Sequence, residues 1–326
     1  MVRSTGVRSA LLCCLMLSAS SCRAQPRESA QDRDPFLSAR GDYLGQTLPG
    51  ITPRPFAPGM ISTARDEGGV AVYPGGREIY FWVVERRSGG VGTTFYVTRR
   101  RDGGWTRPEA LPLSGTYLDG YIALHPDGSR MYFQSNRPID PSESTFEHNI
   151  WYVERVGDGW SEPRSMGRPI NGRHITGGAS VTRDGTMYFT MMDVDGRGAS
   201  DLYRSRYVNG AYQEPERLPA GVNAFHQNCD SYVAPDESYL VFTAFPRSGN
   251  QNNPGGLYIS FRDAEGGWSD AREIGPPVKS ESNFGSATIA PDGRYLFFGR
   301  RDDANNRGLD VYWVATEVLS PLRRAR

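Results

Sequence analysis

Acidic residues stand where two apolar strands of this chain are predicted to begin, and they could carry acid/base chemistry. Asp66 and Glu67 precede the first of these strands, and Asp119 precedes the second. Hydrolysis of a glycosidic bond uses two carboxyl groups, one as the acid and the other as base or nucleophile. The third strand begins after His174 instead, with Asp193 as the only substitute. Because this catalytic set is incomplete, a carbohydrate-active hydrolase or lyase that uses these carboxylates and histidines is the alternative hypothesis.

Metal chemistry has weaker support in the sequence. His174 and His226 could approach each other on neighbouring strands, but no group of His and Cys has the spacing of a zinc site. The segment 193–201 partly resembles a calcium-binding loop, yet Arg197 stands where that loop needs an acidic residue. We therefore expect no cofactor, with calcium or another divalent ion as a minor alternative.

An internal repeat that occurs five times positions these residues. Each copy has alternating apolar residues, a Pro-Asp-Gly-like turn and an aromatic-rich strand, as in IALHPDGSRMYF at 122–133. The turn positions lie 52 to 57 residues apart, at Gly75, Asp127, Asp184, Asp236 and Asp292. Asp-Gly between alternating apolar residues predicts a β-hairpin, and the sequence of each copy continues into a third and usually a fourth strand. Repeats of this kind are typical of propeller blades.

We therefore predict an all-β fold, a five-bladed β-propeller of four-stranded antiparallel blades. The fifth repeat stops after its third strand, and residues 50–56 align with 105–111, the outer strand of the first repeat. Pairing of the two chain ends would close the ring and remove an exposed sheet edge. The predicted propeller covers 43–320, with repeats at about 64–115, 116–172, 173–223, 224–280 and 281–320, a closing strand at 48–58 and a polar tail at 321–326.

The repeated sequences carry a family resemblance. The turn PDG-x-x-(L/M)-YF, the third strand (D/N)-(I/L/V)-(Y/W) and the outer W-x-x-P resemble the WD40-like, or PD40, repeats of TolB-type propellers. The segment YLGQTLPGITPRPFAPG at 43–59 resembles the opening of exported bacterial proteins with this repeat. The resemblance implies a propeller but no particular activity, because such propellers include binding platforms, scaffolds and non-catalytic parts of enzymes.

Polar residues gather at one predicted rim of the channel, where the first strand of each blade starts and the second ends. Convergent polar groups on a rigid scaffold suit a carbohydrate or a polar peptide. The predicted ligand-binding residues are Glu67, Arg86, Asp119, Asn136, Arg137, His174, Asp193, His226, Gln227, Asn228, Arg247, Asn283 and Arg301. The leading hypothesis is a non-catalytic scaffold or receptor that binds a polar ligand, a protein partner or a cell-envelope polysaccharide there. Two other interpretations remain: these residues only satisfy backbone groups of the loops, or the protein is a purely structural envelope module.

The N-terminal residues predict export. A basic start, an apolar stretch at 10–17 and small residues before Cys22 have the pattern of a signal peptide over 1–21. Cys22 resembles the lipidated cysteine of bacterial lipoproteins, so we expect a lipid anchor there and a flexible tether over 22–42. By the same resemblance Arg23 favours the outer membrane, which predicts a cell-envelope protein facing the periplasm or the cell surface. The 37 basic and 37 acidic residues balance, so no surface for nucleic acid is expected.

Overall fold

The chain folds into five antiparallel blades around a central channel. The computed structural model describes residues 35–87, 90–140, 148–172, 174–192, 199–245, 255–278, 283–301 and 308–324. In each blade the first three strands pair in chain order, and short outer strands complete the sheet. The predicted all-β, five-bladed propeller is confirmed.

The strands divide among the blades as follows. Blade 1 has β2 (Asp66–Val72), β3 (Glu78–Arg87), β4 (Gly90–Arg101), β5 (Gly104–Trp105) and β6 (Glu109–Ala110), and blade 2 has β7 (Asp119–Leu124), β8 (Arg130–Ser135), β9 (Asn149–Val156), β10 (Gly159–Trp160) and β11 (Arg164–Ser165). Blade 3 has β12 (Thr176–Val181), β13 (Met187–Met192), β14 (Ser200–Ser205), β15 (Tyr207–Val208), β16 (Ala211–Tyr212) and β17 (Glu216–Arg217). Blade 4 has β18 (Gln227–Val233), β19 (Tyr239–Phe245), β20 (Gly256–Phe261) and β21 (Arg272–Glu273), and blade 5 has β22 (Asn283–Ile289), β23 (Tyr295–Arg301), β24 (Leu309–Ala315) and β1 (Arg54–Pro55). The first strands β2, β7, β12, β18 and β22 contact one another in this order, and β22 contacts β2. These contacts close the ring around the channel.

The hairpin turns explain the repeated Pro-Asp-Gly sequence. In blade 2 the Asp127 side chain accepts a hydrogen bond from Ser129 N at 2.7 Å, and Gly128 has a left-handed backbone with a φ of 77°. The corresponding aspartates of blades 3, 4 and 5 accept the same bond. Aspartate favours this geometry because its side chain bonds its own turn, and glycine favours it because it adopts a positive φ without strain. The turns therefore set the register of the first two strands of these blades.

Strand β1 closes the ring as the outer strand of blade 5. Arg54 pairs with Trp313 and Pro55 with Tyr312 in antiparallel register, and the next residue donates its N–H to a carbonyl of β24 at 2.7 Å. Blade 1 shows the same register between β6 and β4. The N-terminal segment thus supplies the outer strand that the fifth repeat lacks, as the sequence alignment predicted.

Five apolar clusters fill the spaces between blades, and each contains side chains from two neighbouring blades. Between blades 1 and 2 the rings of Phe95 and Phe133 meet edge to face at 5.5 Å. Between blades 5 and 1, Phe56 is fully buried and packs on Trp313 with ring centroids 5.1 Å apart. Because apolar burial contributes roughly 25 cal/mol per Å², these interfaces hold the ring together blade by blade.

The predicted tether ends before residue 42. Helix α1 (Pro35–Ser38) places Phe36, 7% exposed, in the apolar cluster that includes Trp105. The Trp105 indole N–H donates to the Gly41 carbonyl at 2.9 Å. Burial of these side chains offsets the entropy lost when residues 35–42 become ordered. The rest of the predicted tether and the predicted signal peptide, with Cys22, lie outside the described residues.

The other chain end also packs on the propeller. Short 3-10 turns span Tyr43–Gly45 and Thr316–Leu319, and α2 (Ser320–Arg324) follows the second of them. The carbonyl of Leu322 accepts a hydrogen bond from Arg272 at 3.2 Å, so the predicted polar tail is in part a docked helix. In the described ranges, no helix has the length and apolar character needed to cross a membrane.

Candidate functional site

The first strand of every blade carries a β-bulge at the same level of the channel. A bulge sets an extra residue on one strand and re-aims its side chain. Tyr121, Gly178, Asp230 and Ser286 occupy this position with φ angles of 53°, 55°, 54° and 61°. Together with Gly69, which holds the same position in blade 1, they form a ring of residues that we call the waist of the channel.

Two side chains of the waist meet across the channel. The Tyr121 hydroxyl of blade 2 forms a hydrogen bond with the Asp230 carboxyl group of blade 4. The Cys229 thiol and the Ser286 backbone N–H also hydrogen-bond to this carboxyl group. The Asp230 carboxyl group thus accepts hydrogen bonds from donors in blades 2, 4 and 5.

Glycines make room for Asp230. A Cβ at Gly285 would lie 2.1 Å from Asp230 Oδ2, and a Cβ at Gly178 would lie 2.9 Å from Asp230 Cα. Both distances are shorter than any van der Waals contact. Asp230 lies in the bulge of its strand, and the bulge fixes its position. The two neighbouring blades therefore need glycine here so that the carboxyl group can reach the channel.

The surroundings of Asp230 change its proton affinity. Burial raises its pKa to about 7, and the hydrogen bonds from Tyr121 and Cys229 only partly oppose this rise. The charge of Asp230, together with burial, raises the pKa of Tyr121 well above its ordinary value. Burial, followed by the charge of Asp230, likewise raises the pKa of Cys229. Tyr121 and Cys229 are therefore neutral donors near pH 7, and the Cys229 thiol is a poor nucleophile because the thiolate is the reactive form.

A cavity of about 190 Å³ extends from the waist toward the rim formed by the Pro-Asp-Gly turns, which we call the turn rim. At the waist end, the rings of Trp82 and Tyr121 lie side by side with centroids 6.1 Å apart. At the other end, Pro126, Pro235 and Pro291 of the turns line the cavity. The walls between are largely apolar and come from the first strands, with Val70, Val72, Ile122, Val181, Val233 and Ile289. The cavity thus has largely apolar walls, with the Asp230 carboxyl group at its inner end and Arg183 and His125 beside the turns.

The acidic residues that the sequence singled out lie at the opposite rim, where the first strands start. Glu67 is fully buried, and it accepts hydrogen bonds from the Thr63 hydroxyl at 2.5 Å and the Thr63 N–H at 3.2 Å. Burial raises the Glu67 pKa to about 7, against the opposing effect of these bonds. Asp66 is half-buried, accepts from Leu309 N at 2.9 Å and lies 3.8 Å from Arg86. The carboxyl groups of Asp66 and Glu67 therefore stabilise neighbouring loops of the propeller through these hydrogen bonds.

Asp119 and Arg137 form a buried pair at the same rim. Their closest atoms, Asp119 Oδ1 and Arg137 Nη2, are 2.9 Å apart, and both residues are under 10% exposed. Burial raises the pKa of Asp119, although the charge of Arg137 opposes the shift. The Arg137 guanidinium also donates to Leu113 O and stacks over Phe133 at 5.1 Å. This pair joins the loop before the first strand of blade 2 to the end of its second strand.

The other predicted site residues are dispersed along the strand-start rim. The Asn228 and Asn136 side chains bond backbone groups of nearby loops. His174, His226, Arg86 and Arg301 are exposed, and Gln227 is half-buried. Asp193 and Arg247 lie outside the described residues, and Asn283 is described by its backbone in β22 alone. Among the predicted ligand-binding residues whose side chains the structure describes, none lines the cavity. Within the described ranges no three His, Cys, Asp or Glu residues form a group that could hold a metal ion.

Tyr121 and Asp230 were not among the site residues predicted from the sequence. The signal was present in the aligned repeats, because these residues come two positions after Asp119 and Asn228. The corresponding residue of blades 1 and 3 is glycine. A polar or aromatic residue at a position where other copies have glycine indicates space in the channel that a side chain can use.

Comparison with known proteins supports the fold. No protein-family model and no curated protein matches the chain. The chain is similar to the solved structure of an alpha-L-arabinofuranosidase from Lactobacillus brevis, with a TM-score of 0.50, 17% identity, and coverage of 78% of this chain and 91% of that one. It is also similar to TolB from Acinetobacter baumannii, with a TM-score of 0.48, 19% identity and coverage of 78% of this chain, and it spans 55% of the TolB chain. At such identities the likeness concerns the propeller fold alone, so membership of the TolB-type repeat family stays a prediction.

Proposed function

We propose that this protein is a ligand-binding propeller that takes a small ligand in its central cavity, with a polar group of the ligand at the waist and an apolar part between the first strands. The observation that carries the proposal is the cavity itself. Concave, largely apolar sites with a few convergent polar groups are the usual form of small-molecule sites. The proposal keeps the predicted receptor function and moves its site to the other half of the channel.

The chemistry of the cavity favours binding over turnover. Among the described residues that line it, Asp230 is the only carboxylic acid. A glycosidase needs a second carboxyl group across the scissile bond. The neighbouring Cys229 is held as a thiol, which is unfavourable for nucleophilic catalysis. A receptor or scaffold needs only the shape and the polar contacts that are present.

The volume limits the size of the ligand. Drug-sized ligands occupy pockets of roughly 300–1,000 Å³, whereas this cavity measures about 190 Å³. An enclosed apolar cavity of about 150 Å³ is known to hold a single benzene-sized ring. We therefore propose a ligand with one ring or a short chain. The envelope location and the lipid on Cys22 belong to the same proposal, as the setting in which such a receptor would work.

The proposed binding site is tested with a compound panel and with a substitution that adds a bulky side chain to the cavity wall. Thermal unfolding is measured with a panel of single-ring and short-chain compounds that carry amine, hydroxyl, amide or carboxylate groups, and with oligosaccharides. A ligand at 100 times its dissociation constant adds about 2.7 kcal/mol of stability. Ala123→Trp introduces an indole at a half-buried position that lines the cavity. Ala224→Trp makes the same change at an exposed position outside the cavity and serves as the control.

We expect compounds from the single-ring set to stabilise the wild-type protein and the Ala224→Trp variant but not the Ala123→Trp variant. Stabilisation that survives in Ala123→Trp would place binding elsewhere and refute the proposal. A panel in which only oligosaccharides act, equally in both variants, would return the site to the strand-start rim and revive the polysaccharide hypothesis.

A carbohydrate-active hydrolase remains the second candidate, and Glu67 is the observation that favours it. A carboxyl group with a pKa of about 7 suits an acid catalyst at neutral pH. Glu67 has no exposed surface, so a substrate would reach it only if the loop at Thr63 moved. The test is release of nitrophenol from a panel of aryl glycosides, arabinofuranosides included. Turnover by the wild-type protein that is lost in both Glu67→Gln and Asp119→Asn would establish this activity, and no turnover by folded protein would exclude it for the panel.

A further inference from the structure

The waist defines a ligand class, and this inference rests on the proposed function. We propose that the cavity binds a small organic ammonium ion, with its positive group at Asp230 beside the rings of Tyr121 and Trp82 and its apolar part between the first strands.

Three other buried carboxyl groups each have an arginine within 4 Å. Arg65 lies 3.7 Å from Glu67, Arg155 lies 2.8 Å from Glu78, and Arg137 lies 2.9 Å from Asp119. Burial of a carboxylate without a counter-charge is costly, so such pairing is the rule.

Asp230 differs from these three carboxyl groups, because no arginine contributes to its surroundings. Its hydrogen-bond partners are the Tyr121 hydroxyl, the Cys229 thiol and the Ser286 backbone N–H, and all three are neutral. It nevertheless lines the cavity and keeps part of its surface open to it. The position that an arginine occupies beside the other carboxyl groups is here open space, which a cationic ligand can fill.

The neighbouring groups favour an organic cation over a metal ion. The paired rings of Trp82 and Tyr121 border the same end of the cavity. Aromatic rings attract ammonium groups, most strongly where water is excluded. Calcium needs six to eight oxygen ligands, and the waist offers one carboxyl group. The apolar walls add contact with carbon atoms of the ligand.

The charged cavity residues at the other end fix the orientation of the ligand. Arg183 and His125 line the cavity beside the turns, far along the first strands from the waist. A cation is disfavoured near Arg183, so the ammonium group belongs at Asp230. The ligand therefore binds with its positive end inward.

Isothermal titration of the protein with benzylammonium chloride and with benzyl alcohol tests the inference at pH 8. The two compounds have similar size and shape and differ in charge. We expect benzylammonium to bind at least tenfold more tightly, and Asp230→Asn to reduce its affinity to that of the alcohol. Asp236→Asn, the same change in the turn of the same blade, should leave both affinities unchanged. Calcium chloride is titrated as a third compound.

The pH dependence gives a readout that does not depend on a variant. With a pKa of about 7, the ionised fraction of Asp230 rises about tenfold between pH 6 and pH 8, and benzylammonium affinity should rise with it. Tyr121 and Cys229 contact Asp230, and Tyr232 lines the cavity; the pKa values of all three are raised, so these groups stay neutral over this range. A His125→Gln variant should retain the pH dependence, which excludes a contribution from the turn rim.

Several outcomes would overturn the inference. Equal affinity for the two benzyl compounds, with both lost in Ala123→Trp, would leave the cavity as a binding site but remove the ammonium assignment. Calcium binding that Asp230→Asn abolishes would assign the site to a metal ion instead. Absence of benzylammonium binding at 10 mM would refute the inference. Binding that is unchanged in Asp230→Asn and between pH 6 and 8 would refute it as well. In either case, thermal unfolding with the wider compound panel would still test the proposed function.

Discussion

The Tyr121 hydroxyl hydrogen-bonds to Asp230 across the central channel and so joins blade 2 to blade 4, which share no blade interface. The bond lies at the inner end of the cavity. The Asp230 carboxyl group is buried at this position, and burial disfavours its charged form. The stability of the propeller should therefore respond to the ionisation of this group.

Asp230→Asn should make the protein more stable at pH 8 than the wild type. The folded-state pKa of about 7 lies above the ordinary aspartate value of 3.8, so the folded state binds the proton more tightly. Stability from this group is present at low pH and is lost as the pH rises from about 4 to 7. Asparagine cannot ionise, so the difference between variant and wild type should grow by on the order of 2 kcal/mol between pH 5 and pH 8.

Denaturant unfolding at the two pH values measures this difference. Asp236→Asn is the matched control: hydrogen bonds from Ser238 lower the pKa of Asp236, so its stabilisation is present above the unfolded pKa and is lost toward low pH. This variant should be no more stable than wild type at pH 8. A gain for Asp230→Asn that is independent of pH would contradict the raised pKa.

Gly178→Ala should destabilise the waist. The new Cβ would lie 2.9 Å from the Asp230 backbone, and the φ of 55° is strained for alanine. We expect a loss of about 1–3 kcal/mol in the free energy of unfolding. Gly120→Ala is the control on the bulged first strand of blade 2, because its Cβ would meet nothing within 4 Å. That variant should remain within about 0.5 kcal/mol of the wild type, and an equal loss in both would argue against the close approach.

Arg155→Leu should weaken the interface between blades 1 and 2. Arg155 bonds both oxygens of Glu78 at 2.8 and 2.9 Å, and both side chains are largely buried. Arg99 remains 3.6 Å from Glu78 after this change, so the expected cost is about 2–3 kcal/mol, below the about 3–5 kcal/mol of a buried charge left without any partner. Arg101 lies 3.9 Å from Asp158 with both side chains exposed, so Arg101→Leu should cost less than about 1 kcal/mol. Similar losses in the two variants, measured by denaturant unfolding, would show that burial does not decide the strength of these pairs.

Phe56→Ala should loosen the ring closure. Phe56 follows β1, is fully buried and packs on Phe297 and Trp313 with ring centroids 5.0 and 5.1 Å apart. Truncation of a buried phenylalanine costs about 3–5 kcal/mol. Ile51→Ala, at a site that is 58% exposed, is the control and should have little effect. Unfolding that stays unchanged in Phe56→Ala would mean that the N-terminal strand does not close the ring.

The sequence alone determined the blades. Alternating apolar residues, Asp-Gly turns and a regular spacing act within some tens of residues, so the hairpins could be read from the local pattern. The pairing of residues 50–56 with the fifth repeat was also accessible, because the first repeat contains the strand that the fifth lacks.

Only the tertiary structure decided which polar residues reach the channel. Glu67 and Asp119 looked accessible in the repeats, yet loops and Arg137 cover them, because buried polar groups at strand ends must satisfy one another. Tyr121 and Asp230 meet because the ring brings blades 2 and 4 face to face and the bulges turn their side chains inward. No local pattern records that meeting, since it depends on the closure of all five blades.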